Sequence, residues 1–448
     1  MHSIVKESKT TFILATPIIA GQVSQMLLGL ADTLMIGRVG TVELAAAAFA
    51  NVLFHIPFFI AIGLTAAISI QIAHAHGKAE HRSAAETLRH GVLLAVLAGV
   101  ALSGCLLGLL PFLEWFRQPA EVTAVTPEYL RWLAFSLIPM VPALAIKSFA
   151  EAKNHPWPVF WIFLGGVALN IVLNYILIFG NLGFPAMGLA GAGIATFIAR
   201  CITLLLLGYY LKRSHTLRES LPEQWLRPLR RTEAFLLAKI GSPIAGQLLL
   251  EFGAFAMAAL LVGQFGSVAL AAHQIALTCA ASTFMLPLGL SMALTIRVGH
   301  VYGSGATERC RSIIAGAHIA AFLIMSTCAL AYIVAGDHIA SLFIEDPAVI
   351  ALTATMLVVT AFFQIFDGAQ IISMGALRGM RDVNWPTVTA FFSFWVVGIP
   401  FGAWLAFGAG IGAIGLWIGL AAALAFAAAA LSLRLTVLLR VGRQVVVA

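Results

Sequence analysis

Three carboxylic side chains of this sequence lie inside long apolar stretches, where an ionised group is costly. They are Asp32, Glu251 and Asp367, whereas the other acids among the nineteen Asp and Glu residues fall in polar segments or at the edges of apolar ones. A charge at the centre of a bilayer costs at least ~2.5 kcal/mol unless it faces a cavity or a partner. These three acids are therefore the first candidates for a functional role.

Two asparagines have the spacing to accompany Asp32. Asn170 and Asn174 are four residues apart in one apolar run, so a helix would place both on the same face. A carboxylate beside amides in a water-filled cavity can hold a proton or lend oxygen atoms to an alkali cation. The alternative is that the two amides only form hydrogen bonds between helices.

Glu251 and Asp367 lie in the second half of the chain, and no Lys or Arg occurs in their apolar stretches before the polar ends. The pair is predicted to form an anionic site for Na⁺, H⁺ or an organic cation, and it is the candidate metal site if the ion is Na⁺. The alternatives are a carboxyl pair between helices, or acids satisfied by Arg200 or His273.

Other polar residues have more ordinary interpretations. Arg200 is the lone base inside an apolar stretch and either extends to the membrane surface or pairs with Asp32. His74, His76 and His81 resemble a metal cluster, but they occur beside basic residues in a short segment. We interpret them as part of a solvated loop.

The composition excludes a soluble globular protein. Of 448 residues, 61% are apolar and only 10% are charged, and the mean hydropathy is +0.98; soluble domains are near half apolar and about a quarter charged. The net charge of +7 is therefore expected to reflect membrane topology, with no nucleic-acid partner.

Five scattered cysteines indicate neither disulfides nor zinc. No GxxxxGK[ST], HExxH or GxSxG motif occurs, so we expect no nucleotide-binding domain, no catalytic residues, no cofactor and no enzymatic activity.

The apolar stretches predict twelve membrane-spanning helices, each near the ~20 residues that a bilayer requires. They fall roughly at 11–35, 46–73, 89–112, 128–151, 158–180, 188–211, 235–262, 268–296, 312–336, 348–377, 386–407 and 411–437. Helices are required because an open strand would leave backbone groups unpaired in lipid.

Lys and Arg residues predict the orientation. In the connecting segments and at the ends of the spans they cluster on alternate sides, and the exceptions are Arg38, Arg117 and Arg131. Since cytoplasmic loops carry the excess of basic residues, both termini are expected in the cytoplasm.

The two halves of the chain are related by duplication. When the sequence is aligned with itself at one constant offset, Pro17 matches Pro243 and Gly63 matches Gly289, and a slightly longer offset matches Lys153 with Arg381. We predict a lobe at 1–211, a cytoplasmic linker at 212–234 and a second lobe at 235–448. Since each repeat has six spans, the repeats are parallel, which suits alternating access around a cavity between lobes. A channel could also be built this way.

Four motifs in this frame carry a resemblance to a known family. They are Ala31-Asp32-Thr33-Leu34-Met35-Ile36-Gly37 in span 1, Leu169-Asn170 through Leu173-Asn174-Tyr175 in span 5, Glu251-Phe252 in span 7, and Phe366-Asp367-Gly368 through Gly375-Ala376-Leu377-Arg378-Gly379 in span 10. Together and in this order, they resemble the multidrug and toxic compound extrusion (MATE) family, of the NorM type, over essentially the whole chain.

The resemblance implies an all-α integral membrane protein of two pseudo-symmetric six-helix bundles in a V-shaped, outward-open molecule. It implies export of cationic amphiphilic drugs in exchange for Na⁺ or H⁺, from the bacterial inner membrane, by a monomer. Acids matching Glu251 and Asp367 bind the cation in such proteins, and residues matching Asp32, Asn170 and Asn174 form a proton- or substrate-linked site in the N-terminal lobe.

Two other functions stay open at this stage. A lipid-linked sugar flippase of the same superfamily would be expected to carry more basic residues for phosphate in its cavity. A cation channel would show no exchange in counterflow assays.

Overall fold

The computed structural model describes residues 2–225 and 227–445, and in this part of the chain it contains twelve helices long and apolar enough to cross a membrane. We number them α1 to α12. They are α1 His2–Gly37, α2 Thr41–Gly77, α3 His81–Gly108, α4 Ala120–Ala152, α5 Pro156–Phe179, α6 Gly188–Arg213, α7 Arg231–Gly263, α8 Ser267–Gly303, α9 Glu308–Ser341, α10 Pro347–Gly379, α11 Asn384–Gly408 and α12 Ala413–Val445. The all-helical prediction and its twelve spans are confirmed.

Most of these helices are longer than the spans predicted from hydropathy. The longest are α2 and α8, with 37 residues each. The extra turns carry polar residues that a hydropathy window discards, although a helix satisfies their backbone groups as well as those in the apolar part.

The helices form two compact units, which we call the N-terminal unit, Ala20–Ala245, and the C-terminal unit, Gly246–Ala448 together with Met1–Ile19. Their boundaries differ from the predicted lobes 1–211 and 235–448. The first part of α1 packs in the C-terminal unit, and the first part of α7 packs in the N-terminal unit. Both helices therefore change units within the membrane-spanning length, close to Pro17 and Pro243.

Equivalent glycines make this exchange possible in the two units. A Cβ on Gly63 of α2 would lie 2.5 Å from Gly241 O and 2.7 Å from Ala245 Cβ, both on the first part of α7. A Cβ on Gly289 of α8 would lie 2.5 Å from Ile19 Cγ1, on the first part of α1. The internal repeat aligns Gly63 with Gly289, and at the same offset it aligns Ile19 with Ala245. The duplication thus preserved a close helix contact as well as a sequence.

Ion pairs between side chains hold the first turns of α1 in the C-terminal unit. Glu7 is buried and bonds the guanidinium of Arg297 on α8, and its other oxygen accepts a hydrogen bond from Arg309 at 2.7 Å. Arg297 also bonds the Thr11 hydroxyl at 2.6 Å. The sequence placed Glu7 at a polar edge, and the structure places it inside a helix, between two arginines.

The segment predicted as a linker is packed against the N-terminal unit. It contains a one-turn helix, His215–Arg218, followed by Ser220, which is buried and whose hydroxyl lies 3.2 Å from Nδ1 of His81. Arg89 of α3 donates to the backbone oxygen of Arg227 at 2.6 Å. Arg89, the first residue of the predicted span 89–112, is only 2% exposed.

Candidate functional site

In the N-terminal unit, Asp32 of α1 meets two asparagines of α5. Asn174 Nδ2 donates to Asp32 Oδ1 at 2.6 Å and to Asn170 Oδ1 at 3.0 Å. Asn170 Nδ2 donates in turn to Thr196 Oγ1 at 3.2 Å, and this hydroxyl donates to Ala192 O. The four-residue spacing puts both amides on one helix face. The structure therefore brings the three predicted residues together.

The direction of these hydrogen bonds bears on the charge of Asp32. If the Asn170 amide were turned over, its nitrogen would lie 3.0 Å from Asp32 Oδ1 but also 3.0 Å from the Asn174 amide nitrogen, so two donors would face each other. In the orientation described above, Asn170 Oδ1 instead lies 3.0 Å from Asp32 Oδ1, so two acceptors face each other unless a proton lies between them. Asn174 Oδ1 is buried without a hydrogen-bond partner among the described residues. An acceptor beside a carboxylate suits a ligand that carries a proton or a positive charge.

Arg200 takes neither of the two positions considered from sequence. Its guanidinium bonds Ser136 Oγ and lies 5.0 Å above the ring centre of Phe54. It acts on Asp32 through space, and no ion pair joins the two side chains within the described ranges. The buried Tyr129 lies near both charges. Arg200 is thus held inside the unit by Ser136 and Phe54, and its charge interacts with that of Asp32.

In the C-terminal unit, Glu251 of α7 is held by two glutamines. Gln247 Nε2, one helical turn away, donates to Glu251 Oε1 at 2.9 Å, and Gln370 Nε2 of α10 donates to the same oxygen at 3.2 Å. Asp367, three residues before Gln370, is partly buried and interacts electrostatically with Glu251. No hydrogen bond to the Asp367 carboxylate is found in the described part of the chain. The two like charges favour a shared cation or proton.

Arg378 is a residue of this site that sequence reasoning missed. Its Nη2 donates to Gln247 Oε1 at 3.0 Å, and its charge acts on Glu251. It was assigned to the polar end of span 10, where Lys and Arg are common. The spacing in the sequence could have assigned Arg378 to the site, because Gln370, Met374 and Arg378 occur every four residues and share one helix face.

The histidines do not satisfy the buried acids. His273 is buried against Trp417, with ring centres 5.5 Å apart, and neither of its ring nitrogens has a hydrogen-bond partner among the residues described. His74 is also buried, which corrects its assignment to a solvated loop, while His81 is exposed. The described residues include no group of three or more His, Cys, Asp or Glu side chains suited to hold a metal ion.

A basic cluster at the end of α2 joins this helix to the α4–α5 connection. Lys153 Nζ donates to His76 Nδ1 at 3.1 Å. Burial lowers the pKa of Lys153, and burial together with the charge of Lys153 lowers the pKa of His155. The cluster therefore holds His155 neutral more readily than a free histidine at neutral pH.

A family model matches the chain twice. The model is MatE, and it covers residues 17–176 and 243–404. The two matches begin at Pro17 and Pro243, the prolines that the internal repeat aligns. The family model therefore recognises the same duplication as the sequence.

Curated relatives are similar over nearly the whole length. The probable multidrug resistance protein NorM of Bradyrhizobium diazoefficiens is 35% identical, covering 93% of this chain and 91% of the relative. The probable multidrug resistance protein NorM of Pseudomonas putida is 36% identical, with 95% and 93% covered. The multidrug resistance protein NorM of Vibrio vulnificus (strain CMCP6) is 32% identical, with 97% and 96% covered.

Solved structures have the same fold at lower identity. The Vibrio cholerae MATE transporter VcmN in the bent form superimposes with a TM-score of 0.90 at 21% identity, covering 99% of each chain. The eukaryotic MATE transporter AtDTX14 gives a TM-score of 0.87 at 21% identity, again with 99% of each chain covered.

Proposed function

Because this chain belongs to the MatE family of multidrug efflux transporters, we propose that it exports cationic amphiphilic compounds in exchange for Na⁺ or H⁺ by alternating access. The observation that carries the ion coupling is the Glu251–Asp367 pair. Two acids on neighbouring helices, one of them without a hydrogen-bond donor in the described chain, form an anionic site in an apolar surrounding. Such intramembrane acids mark ion pathways and proton relays.

The Asp32 network is proposed to serve the exported compound or a proton in the N-terminal unit. Asp32 supplies a carboxylate, Asn174 supplies an acceptor, and Tyr129 supplies an aromatic ring close by. A cationic ring compound needs both a negative charge and apolar or aromatic surface. A proton on Asp32 would remove the charge and release the compound.

We also propose the location of the protein in the cell and its topology. The chain is a multi-pass membrane protein. We place it in the bacterial inner membrane as a monomer, with both termini and residues 212–234 in the cytoplasm, because Lys and Arg are concentrated on that side. The N-terminal unit and the C-terminal unit, built mainly from the repeats 1–211 and 235–448, are proposed as the two lobes of the cycle. The ion gradient supplies the energy, with no catalytic step or cofactor.

Ethidium efflux from everted membrane vesicles tests this function, with Na⁺ and pH gradients imposed independently. We expect one of the two gradients to drive efflux. Glu251→Gln and Asp367→Asn should each reduce the driven component at least about tenfold, because the amides keep the shape and lose the charge. Asp337→Asn, at an exposed position near the end of α9, is the matched control and should retain efflux.

Four outcomes would contradict the proposal in whole or in part. Efflux that is unaffected by either gradient would exclude antiport, and full coupling in either amide variant would reduce that acid to a packing role. Counterflow separates the remaining alternatives, because a cation channel shows no exchange and a lipid-linked sugar flippase would exchange sugar-phosphate lipids and leave ethidium behind.

A further inference from the structure

Lys153, at the turn between α4 and α5, is a buried base with no acid bonded to it. It is 7% exposed and takes part in no ion pair among the described residues. Its Nζ donates to His76 Nδ1 at 3.1 Å, and an imidazole brings no counter-charge. Buried charges are normally paired, because an isolated one loses its hydration without compensation. The environment of Lys153 therefore lacks an anion.

Two acids near Lys153 do not neutralise it. Glu151, two residues earlier in the chain, is buried and already pairs with Lys147 at 3.0 Å. Glu219, in the segment predicted as a linker, is exposed and acts on Lys153 only through space. Burial lowers the pKa of Lys153, so its ammonium group gains from a closer negative charge.

Three histidines lie beside this lysine and bring further hydrogen-bond donors. The charges of Lys153, His81 and His155 all act on His76, so the basic cluster consists of these four residues, from α2, α3 and the α4–α5 turn. His76 and His155 are half-buried and His81 is exposed, which leaves one side of the cluster open to solvent. A neutral imidazole carries one N–H donor and a charged one carries two. The cluster can therefore direct several N–H groups at one anion.

The internal repeat provides a comparison, because the C-terminal unit has the same turn between α10 and α11. In the first turn, His155 N donates to Ala150 O at 2.8 Å. In the second, Asp382 N donates in the same way to Leu377 O at 2.9 Å. The Asp382 carboxylate pairs with Arg434 at 2.8 Å. One turn thus contains its own carboxylate, and the other has a histidine at that position.

We propose that the basic cluster binds one phosphate group, from inorganic phosphate or from the headgroup of an anionic phospholipid. Phosphate fits because its oxygens accept several N–H groups at once, and lysine is a frequent ligand of it. The site lies on the side of the protein that we place in the cytoplasm. It goes beyond the proposed function and does not depend on it, because neither the coupling ion nor the exported compound takes part.

Binding of radiolabelled inorganic phosphate to the purified full-length protein tests the site without any transport. The protein is kept in dodecyl maltoside, a detergent that contains no phosphate, and is dialysed to equilibrium near neutral pH. The ionic strength is held constant, because salt screens exposed charges.

The wild type is expected to bind a single phosphate. Lys153→Gln should weaken binding at least about tenfold, because a hydrogen bond to a charged group is lost. His155→Asp should weaken it similarly, since it gives this turn the carboxylate that Asp382 gives the other turn, while Lys153 stays in place. Arg213→Gln, at an exposed position at the end of α6, is the matched control and should bind phosphate like the wild type.

Native mass spectrometry with phosphatidylglycerol added to the detergent distinguishes the two sources of phosphate. If the lipid headgroup is the ligand, phosphatidylglycerol stays bound to the wild type, dissociates from Lys153→Gln and displaces the labelled phosphate. If the free anion is the ligand, the labelled phosphate stays bound in the presence of the lipid.

Two results would overturn the proposal. In the first, neither phosphate nor phosphatidylglycerol distinguishes the wild type from Lys153→Gln and His155→Asp. In the second, Arg213→Gln weakens binding as much as those variants do, which would assign the attraction to the general charge of that face.

If Lys153→Gln does not fold, the comparison of His155→Asp with His155→Asn decides. The two side chains have nearly the same shape, and the uncharged variant should bind phosphate at least about tenfold more tightly. Equal affinities would overturn the proposal. Absence of drug efflux in the wild type would reject the proposed function alone, since phosphate binding is measured without a drug.

Discussion

At the scale of single residues, the two halves of the chain carry different chemistry in equivalent frames. In the N-terminal unit one acid, Asp32, is bonded by an amide and influenced by Arg200 at a distance. In the C-terminal unit two acids share one base, which reaches Glu251 through a glutamine. In both units the arginine bonds an uncharged side chain and forms no ion pair with the carboxylate among the described residues, so a cation can still bind the acid.

The variant Asp32→Asn should distinguish the effect of the Asp32 charge from the effect of its hydrogen bond to Asn174. The amide oxygen can still accept from Asn174, so we expect thermal stability within about 1 kcal/mol of the wild type. Binding of a cationic dye should weaken and lose most of its pH dependence between about pH 5 and pH 8. Fluorescence titration in detergent measures this.

Asp32→Ala is the comparison for that variant. It removes the acceptor as well, so a buried donor on Asn174 loses its partner at a cost of about 1–3 kcal/mol. An unchanged pH profile in Asp32→Asn would leave Asp32 with a structural role only.

At the scale of helices, two glycines let α1 and α7 cross into the unit of the other repeat. Gly63→Ala and Gly289→Ala should each destabilise the protein by about 1–3 kcal/mol, because the added methyl meets backbone or Cβ atoms that have no room to move. Thermal unfolding in detergent provides the measurement.

Gly104→Ala is the matched control, since nothing lies within 4 Å of a Cβ built there. It should be neutral or stabilising by up to about 1 kcal/mol, because alanine favours the helix. Equal destabilisation by all three substitutions would show that the close contacts are not the cause.

The ion cluster at the start of α1 gives a second test at this scale. Arg297→Gln should cost about 3 kcal/mol, because it leaves the buried Glu7 with less compensation. Arg309→Gln removes an arginine that is 58% exposed and should cost under about 1 kcal/mol. Similar losses for both variants would contradict the assignment of Arg297 as the buried partner.

At the scale of the whole molecule, the orientation rests on the distribution of Lys and Arg. We expect Thr216→Cys to be shielded from an impermeant thiol reagent in intact cells and Ala186→Cys to be labelled. Both positions are exposed, whereas Ser220 is buried and would be shielded on either side. The five native cysteines are replaced first. Labelling of Thr216→Cys without Ala186→Cys would reverse the topology.

Sequence alone predicted the number of spans, their order and the duplication. These features are local, because each helix in lipid satisfies its own backbone groups and must be about as long as the bilayer is thick. The repeat was visible as residue identities at fixed offsets, such as Pro17 with Pro243. The adjacency of Asp32, Asn170 and Asn174 followed from helix periodicity together with the resemblance.

Only the tertiary structure decided which distant side chains meet. Arg378 and Gln247 are far apart in the chain, as are Glu7 and Arg297, and no periodicity within one helix relates the members of either pair. The exchange of α1 and α7 between units depends on a close approach at Gly63 and Gly289, whose neighbours lie in other parts of the chain. In a sequence, a charged residue near a helix end is interpreted as a sign of membrane topology. Only the packing shows whether that residue is buried beside a partner and belongs to a functional site.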